Sequence, residues 1–400
     1  MICGLDIGSG QVICVLGHHD PDTGLINIVS AGQDPCRGTK GGVVVDIDDT
    51  ANSIGNAIEE AEKKVDVVVH RLYLGIRGTH VETHNSRGVV SISRTDKEIT
   101  ADDVHSAVDN AKAIRISSDR DIIDTVDQDA SLDGQRGVRN PVGMEGSYLE
   151  VFVHIVTASN THLNNIYKAI AKSGFGVIEP IYSLLATGDV VVTEEEKGLG
   201  CLLVDFGGQS IGLAIYAEGS IKYSKELPFG GDLITADISH ALRTSVAQAK
   251  IIKEKHGVAA KSLLSDDREV EFMGVDGRTM RNVSRSYLAD IISPRLEEIF
   301  DKISDEVQNS PYADVIVPGG IILTGGGSSL EGVTTACEKI LEISTRPGLP
   351  QGITGPNNIV SDPAYATAIG LLKYRPNVET IHHKRHKPIA TIIKKLRDWL

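Results

Sequence analysis

The sequence predicts an α/β protein of two or more lobes, and three observations carry that expectation. The chain has 400 residues, more than one compact core usually serves, since single domains mostly run to ~100–200 residues. Short Val- and Ile-rich runs alternate with segments of helical spacing throughout. A glycine turn directly after an Asp occurs twice, half a chain apart, at Asp6 and at Asp205.

Taken in order, Gly4-Leu5-Asp6-Ile7-Gly8-Ser9-Gly10 reads as a tight turn leading into a strand over 11–16. Residues 49–64 place Ile54, Ala57, Ile58 and Ala61 on one helical face, and short strands are expected at 66–69 and 72–76. Thr100-Ala101-Asp102-Asp103 resembles a capping box for a helix through Ala113. The polar, Gly- and Asp-rich stretch 119–146 suggests loops and edge strands. Thr161 is expected to cap a helix bearing Leu163, Ile166, Tyr167 and Ile170, with Gly174 ending it.

The second turn, Asp205-Phe206-Gly207-Gly208-Gln209-Ser210, lies between apolar runs at 201–204 and 211–216. One helical region is expected over 236–256, closed by Gly257, and a small hairpin-bearing insertion over 257–277. A long charged helix is expected over 281–307. Finally, the strand Ile321-Ile322-Leu323-Thr324 runs into Gly325-Gly326-Gly327-Ser328-Ser329-Leu330, read as a turn opening a helix through Leu341.

Composition excludes several classes. Hydrophobic residues at 41% and charged residues at 24% argue against wholesale disorder. The 40 Lys and Arg against 54 Asp and Glu give a formal charge of −14, the wrong sign for bulk nucleic-acid binding. The five cysteines, Cys3, Cys14, Cys36, Cys201 and Cys337, are scattered, odd in number and without a C-x-x-C pair, as expected of core thiols in a reducing compartment. Met1 leads straight into Ile2-Cys3-Gly4 with no basic region or apolar signal, so export by that route is not expected. Apolar runs such as 151–158 fall short of the ~20 residues a membrane span needs.

Glycine turns after strands let backbone amides approach phosphate oxygens. An Asp ahead of the turn can hold a hydrated divalent cation or orient water near a terminal phosphate. Each cluster alone is more often a plain turn; the three together point to a nucleotide. Neither G-x-x-x-x-G-K-[ST] nor a strand-linked G-x-G-x-x-G occurs at these turns, which excludes the P-loop and the dinucleotide fold.

The tail has a different character. Residues 373–400 hold eight Lys or Arg against two Asp or Glu, a net +6, so the rest of the chain carries −20. Within 388–400, Ile389, Ile392, Ile393, Leu396, Trp399 and Leu400 share one stripe of a helix, while Lys394, Lys395 and Arg397 fall elsewhere. Pro388 suits the first helical position. Such a helix is too short to span a bilayer and well shaped to lie in its interface, with Trp399 at the boundary and the cations toward anionic headgroups. The basic linker His382-His383-Lys384-Arg385-His386-Lys387 adds ~1 kcal/mol per Lys or Arg near such a surface. A terminal helix docked on the body, and a metal-binding His run, are the alternatives.

With these motifs in place, the chain resembles the bacterial cell-division FtsA family of the actin-like ATPase superfamily along nearly its whole length. The specific resemblance lies in Asp133-Gly134-Gln135-Arg136-Gly137-Val138-Arg139-Asn140-Pro141-Val142-Gly143-Met144-Glu145-Gly146, in Pro228-Phe229-Gly230-Gly231-Asp232 and in Asp362-Pro363-Ala364-Tyr365-Ala366-Thr367-Ala368. It implies a two-lobed actin-like fold. The first lobe would comprise 1–77, 158–198 and 345–374, interrupted by an inserted small α+β domain over 78–157. The second would comprise 199–229 and 287–344, with a small upper subdomain over 230–286. A linker over 375–387 and an amphipathic membrane helix over 388–400 would follow.

The resemblance also implies ATP and Mg2+ in the cleft, with Asp6 and Asp205 holding the metal through water. Gly8, Ser9 and Gly10 would meet the nucleotide from one turn, and Gly207, Gly208, Gln209 and Ser210 from the other. Gly230, Lys250 and Lys253, and Gly325, Gly326, Gly327 and Ser328, would complete the surface. The chain departs from the family at the second turn, usually Asp-x-Gly-Gly-Gly-Thr-Thr-Asp, and at Lys250, where a Glu usually faces the ribose. These departures predict weak hydrolysis at most. Partners implied are the C-terminal peptide of the tubulin-like ring protein FtsZ, with Arg281 and Arg285 pairing to its acidic residues, further copies of the chain in filaments, anionic lipids and later division proteins. The implied location is the cytoplasmic face of the cell membrane at the division site. A pilus-assembly-like scaffold and a small-molecule kinase of the same superfamily are the rival functions; the kinase would need a general base, for which only Asp205 presents itself.

Overall fold

The computed structural model describes residues 1–20, 23–316 and 318–374. Two mixed sheets form two lobes. In the first the strand order is Gly176–Tyr182, Arg71–Ile76, Ile2–Ile7, Gln11–His19, Ile26–Pro35, Ile353–Thr354. In the second it is Ser220–Leu227, Ile211–Ala217, Cys201–Phe206, Ile321–Thr324, Thr345–Pro347. Each lobe repeats one plan: an antiparallel hairpin whose first strand also pairs in parallel with a later strand. The turns match in register, Ile7 facing Val12 in one and Phe206 facing Ile211 in the other.

The helix Ile47–Lys63 begins at Asp46, whose side chain accepts from the Asp48 and Asp49 amides. It buries Ile54, Ala57, Ile58 and Ala61 completely, as their spacing requires. A Cβ at Gly32 would stand 2.1 Å from the Ala57 carbonyl oxygen, so that strand position accepts only glycine at this depth of helix packing. The expected strand at 66–69 is instead the turn and extended chain after this helix; one strand, Arg71–Ile76, forms there. The five cysteines are free and buried, with the Cys3 and Cys14 sulfurs 3.5 Å apart across the first hairpin.

Between the lobes' elements the chain builds a separate unit. A sheet ordered Val81–Ser91, Tyr148–Ser159, Arg120–Leu132, Gln135–Val138 is covered by the helix Ala101–Lys112, around a core that includes Ile99, Ala107, Leu149, Val153 and Ile155. Thr100 caps that helix in a full capping box with Asp103. The stretch expected to be loops and edge strands contains the 13-residue strand Arg120–Leu132, paired along most of its length with Tyr148–Ser159 but on its other side with Gln135–Val138 only at Ala130 and Leu132, so much of it is a sheet edge, as expected.

Several boundaries move. The helix Asn160–Lys172 follows Ser159, and Thr161 lies inside its first turn with no capping role. The 236–256 region is two helices, Asp232–Leu242 and Val246–His256, separated at Arg243 with φ 51°. The long helix starts at Arg285, because Met280–Ser284 pairs as a strand with Glu269–Met273. Among the described residues no helix is long and apolar enough to cross a membrane. The linker at 375–387 and the expected tail helix at 388–400, with Ile389, Ile392, Ile393, Lys394, Lys395, Leu396, Arg397, Trp399 and Leu400, lie outside the described residues.

Candidate functional site

The C-terminal ends of the two central strands, Ile2–Ile7 and Cys201–Phe206, face one cleft of about 320 Å3, within the ~300–1,000 Å3 range of ligand sites. Ser9 and Gly10 line it from the first turn, and Gly208 and Gln209 from the second. The Gly8 amide donates to the Gln11 carbonyl, and the Gly207 amide to the Asp205 and Ser210 carbonyls. Among the described residues this leaves the Ser9, Gly10, Gly208 and Gln209 amides without a backbone partner. Two sets of unspent N–H groups, one from each turn, are of the kind that can receive an anion.

The second turn is clasped from above. The Gly231 and Asp232 amides donate to the Gly207 and Gly208 carbonyls, and a Cβ at Gly230 would meet the Gly207 carbonyl oxygen at 2.4 Å. Gly230 therefore supports the turn rather than lining the cleft. Gln209, in place of the family's glycine, acts as a strut. Its Nε2 donates to Asp232 at 3.0 Å and its Oε1 accepts from the Gly41 amide at 3.0 Å, tying the first lobe's 41 loop to the subdomain above the second lobe.

The third cluster closes the floor. Gly325 has φ 82°, and a Cβ there would lie 2.3 Å from Asp205 Oδ1. Gly326–Ser329 is a 3-10 turn and the following helix starts only at Val333, so the glycines do not sit at an α-helix N-terminus as expected. Gly325, Gly326 and Gly327 line the cleft, whereas Ser328 turns back to donate to the Gly325 carbonyl at 2.7 Å.

Lys250 and Lys253 both reach the cleft. Lys253 Nζ donates to the Gly231 carbonyl at 2.9 Å, and burial lowers its pKa. Lys250 extends across toward Gly10, with Nζ 3.6 Å from where a Cβ would stand, and pairs loosely at 3.8 Å with Glu254, a cleft residue that sequence reasoning missed.

Asp6 and Asp205 face the cleft nearly buried, at 6% and 3% exposure. Burial pushes the Asp6 carboxyl up to about 6, against the pull of Arg77 and with a push from Asp205. Its Oδ1 has no hydrogen-bond partner. Arg77 lies between the two carboxylates, 3.3 Å from Asp205 and 3.8 Å from Asp6, and no sequence motif marks it. Only the pairing reveals it: Gly75 pairs with Asp6 in parallel strands, so Arg77 falls just beyond the C-terminal edge where such sheets place their sites. Glu226, also unforeseen, is buried near Arg77 and is pushed up to about 7, chiefly by burial. The nests and the cleft fit a polyphosphate. The two aspartates are suitable oxygen donors for magnesium, but a guanidinium already stands between them, and among the described residues no group of three metal-ligating side chains occurs.

The second expected site divides. Arg281 is exposed on the Met280–Ser284 strand, on a hairpin that also exposes Met273, Val275 and Met280. Arg285 is only 3% exposed. Its guanidinium holds Asp266 and Glu331 and donates to the His256 carbonyl at 3.1 Å, so it fastens the long helix to its surroundings and is not a free cation for a peptide.

Comparison with known proteins follows the same division. Residues 202–370 match the family model for cell division protein FtsA, and residues 78–157 match the model for an SHS2 domain inserted in FtsA. The chain is 37% identical over 409 aligned residues to the cell division protein FtsA of Pseudomonas aeruginosa, covering 100% of this chain and 97% of that protein. The fold is similar to that in a PilM-PilN type IV pilus biogenesis complex, with TM-score 0.66 and 16% identity over 93% of this chain and 97% of the other. It is also similar to MreB5 of Spiroplasma citri bound to ADP, with TM-score 0.55 and 14% identity over 95% and 96% of the two chains.

Proposed function

The chain belongs to the FtsA family of cell-division proteins, and from that premise we propose that it is an ATP-binding adaptor that polymerises on the cytoplasmic face of the cell membrane and tethers FtsZ filaments there. The observation that carries the reading is the pair of matched amide nests facing each other across one cleft. A nucleotide's phosphates would span the Ser9–Gly10 and Gly208–Gln209 amides, so its binding draws the lobes together. That the similarly folded MreB5 is bound to ADP accords with this. Asp6 and Asp205 are the residues that would hold a Mg2+ supplying counter-charge to the phosphates, in competition with Arg77, which already pairs with both.

The departures at the second turn favour a structural use of ATP over rapid turnover. Gln209 is committed to Asp232 and Gly41, and Asp205, the general-base candidate read from the sequence, is engaged by Arg77. The closed body would then be the form that assembles, and assembly would array the tails. One helix of 388–400 binds a bilayer weakly, and many on one filament bind by avidity. At the upper subdomain the exposed Arg281, beside Met273, Val275 and Met280, suits a peptide with acidic and apolar residues, and later division proteins would join the assembled ring.

The test is co-flotation with vesicles containing anionic lipid. The full chain with ATP is expected to float and to carry along a peptide of the FtsZ C-terminus, while a chain lacking 388–400 stays at the bottom with its peptide. Flotation of the shortened chain would overturn the membrane assignment, and a floated chain that leaves high-micromolar peptide behind would overturn the tether.

A further inference from the structure

Arg77 is held where a nucleotide's outer phosphates would meet the two aspartates. Its side chain is 10% exposed, with the guanidinium 3.3 Å from Asp205 and 3.8 Å from Asp6. Both separations exceed the ~2.7–2.9 Å of a charge-assisted hydrogen bond. The pairing is therefore electrostatic, and the fork of five N–H donors is not used up by its carboxylates. The guanidinium also abuts the second nest: Nη2 would lie 3.1 Å from a Cβ placed at Gly207. An anion resting on the Gly208 and Gln209 amides would touch it.

The charges around it demand a cation. Asp6, Asp205 and Glu226 are all buried there, at 6%, 3% and 6% exposure, and a polyphosphate would add further negative charge. Left alone, these carboxylates would repel it. Arg77 already meets the Oδ2 atoms of Asp6 and Asp205 on which a hydrated divalent cation would draw, and two cations in that space would repel each other. Arginine suits the position, because it stays charged when desolvated and its planar donors match phosphate oxygens.

We propose that Arg77 is the built-in counter-cation of the phosphate site, so that a nucleoside triphosphate binds this cleft with little dependence on a divalent metal. This rests on the nucleotide reading above. Arg77 acts here as a binding residue for the terminal phosphates, held in place by the two aspartates on which a metal would otherwise depend.

Calorimetric titration of the full chain with ATP, in magnesium and in excess EDTA, separates the possibilities. The wild-type affinity is expected to change less than about threefold between the two media. Arg77→Ser is expected to bind at least about tenfold more weakly in EDTA, ~1.4 kcal/mol, and to regain most of the loss in magnesium, while Arg77→Lys retains part of the metal-free binding. The inference is overturned if wild-type binding weakens tenfold or more in EDTA, a result that needs no variant to fold. It is equally overturned if Arg77→Ser, with an unchanged melting temperature, binds as wild type in EDTA or loses affinity equally in both media. Absence of ATP binding in either medium would instead bring down the nucleotide reading itself, and this inference with it.

Discussion

His154 is 1% exposed and satisfied as a neutral ring. Nδ1 lies 2.6 Å from Asn85 Oδ1 and Nε2 lies 2.9 Å from Ser224 Oγ. Because Asn85 already donates through Nδ2 to the Lys222 carbonyl at 2.7 Å, its Oδ1 accepts, which puts the proton on Nδ1 and lets Ser224 donate to Nε2. Burial first, and the nearby His84 second, push the ring down to about 4. In the unfolded chain it would titrate near ~6.5, so below that pH the unfolded state binds more protons and stability falls as pH falls toward 4. At about 1.4 kcal/mol per unit this amounts to about 2 kcal/mol between pH 7 and 4.5. His154→Gln should therefore lose less stability than wild type over that interval in urea titrations. His80, pushed down to about 4, and Asp6 and Glu226, pushed up to about 6 and 7, are common to both chains and cancel in the comparison. Equal losses would mean that the ring already shares its proton in the native state. The site residues divide along the same physical line. Those that act through backbone, such as Ser9, Gly10 and Gly208, were legible because glycine turns after strands announce themselves locally. Arg77 and Glu254, which line the cleft, and Glu226 near Arg77 were not, because only strand pairing and tertiary packing bring their side chains there.

At the level of elements, the inserted domain depends on one close approach. A Cβ at Gly88 would sit 1.8 Å from the Ala107 carbonyl oxygen and 2.5 Å from the Ala111 nitrogen. Glycine on the strand and fully buried alanines one turn apart on the helix let Ala101–Lys112 lie directly on the sheet. Gly88→Val must push the helix away, and overpacking of this kind costs about 1–3 kcal/mol. Amide hydrogen exchange should accelerate about tenfold or more across Ala101–Lys112 while Asp232–Leu242 keeps its protection; an unchanged helix would refute the packing argument. The start of this helix could be read from the sequence because a capping box is closed among four consecutive residues. The break at Arg243 and the strand Met280–Ser284 could not be read from periodicity, since each is decided elsewhere. Thr244 donates through Oγ1 to the Met273 carbonyl at 2.6 Å, and the hairpin is fixed by Asp276, which accepts from the Arg278 and Thr279 amides at 3.0 Å. Asp276-Gly277 was the available turn signal.

Across the whole molecule, the inserted domain is joined to the first lobe by the chain and by packing, and it also bonds to the second. The strand Ser220–Leu227 forms an edge of the second lobe's sheet, and its outward carbonyls are taken by side chains of the insertion. Thr83 donates to the Ser224 carbonyl at 2.7 Å, Asn85 to Lys222 at 2.7 Å and Gln128 to Ile221 at 2.6 Å. Covering an edge in this way blocks stray strand pairing, and it also makes a brace that any relative movement of the lobes must carry or break. The same strand carries Glu226, next to its last residue and near Arg77, so the seam and the surroundings of Arg77 share one element. Opening of the cleft to release nucleotide should then be resisted by these bonds, each worth about 0.5–1.5 kcal/mol net. The double variant Asn85→Ala with Gln128→Ala, which removes two of them without touching the cleft, is expected to release a fluorescent ATP analogue about tenfold faster in stopped-flow displacement, with a smaller change in the association rate. A release rate identical to wild type in a normally folded variant would mean that the insertion travels with the second lobe as the cleft opens, and that the hinge lies at 77–81 and 158–160, where the chain enters and leaves it.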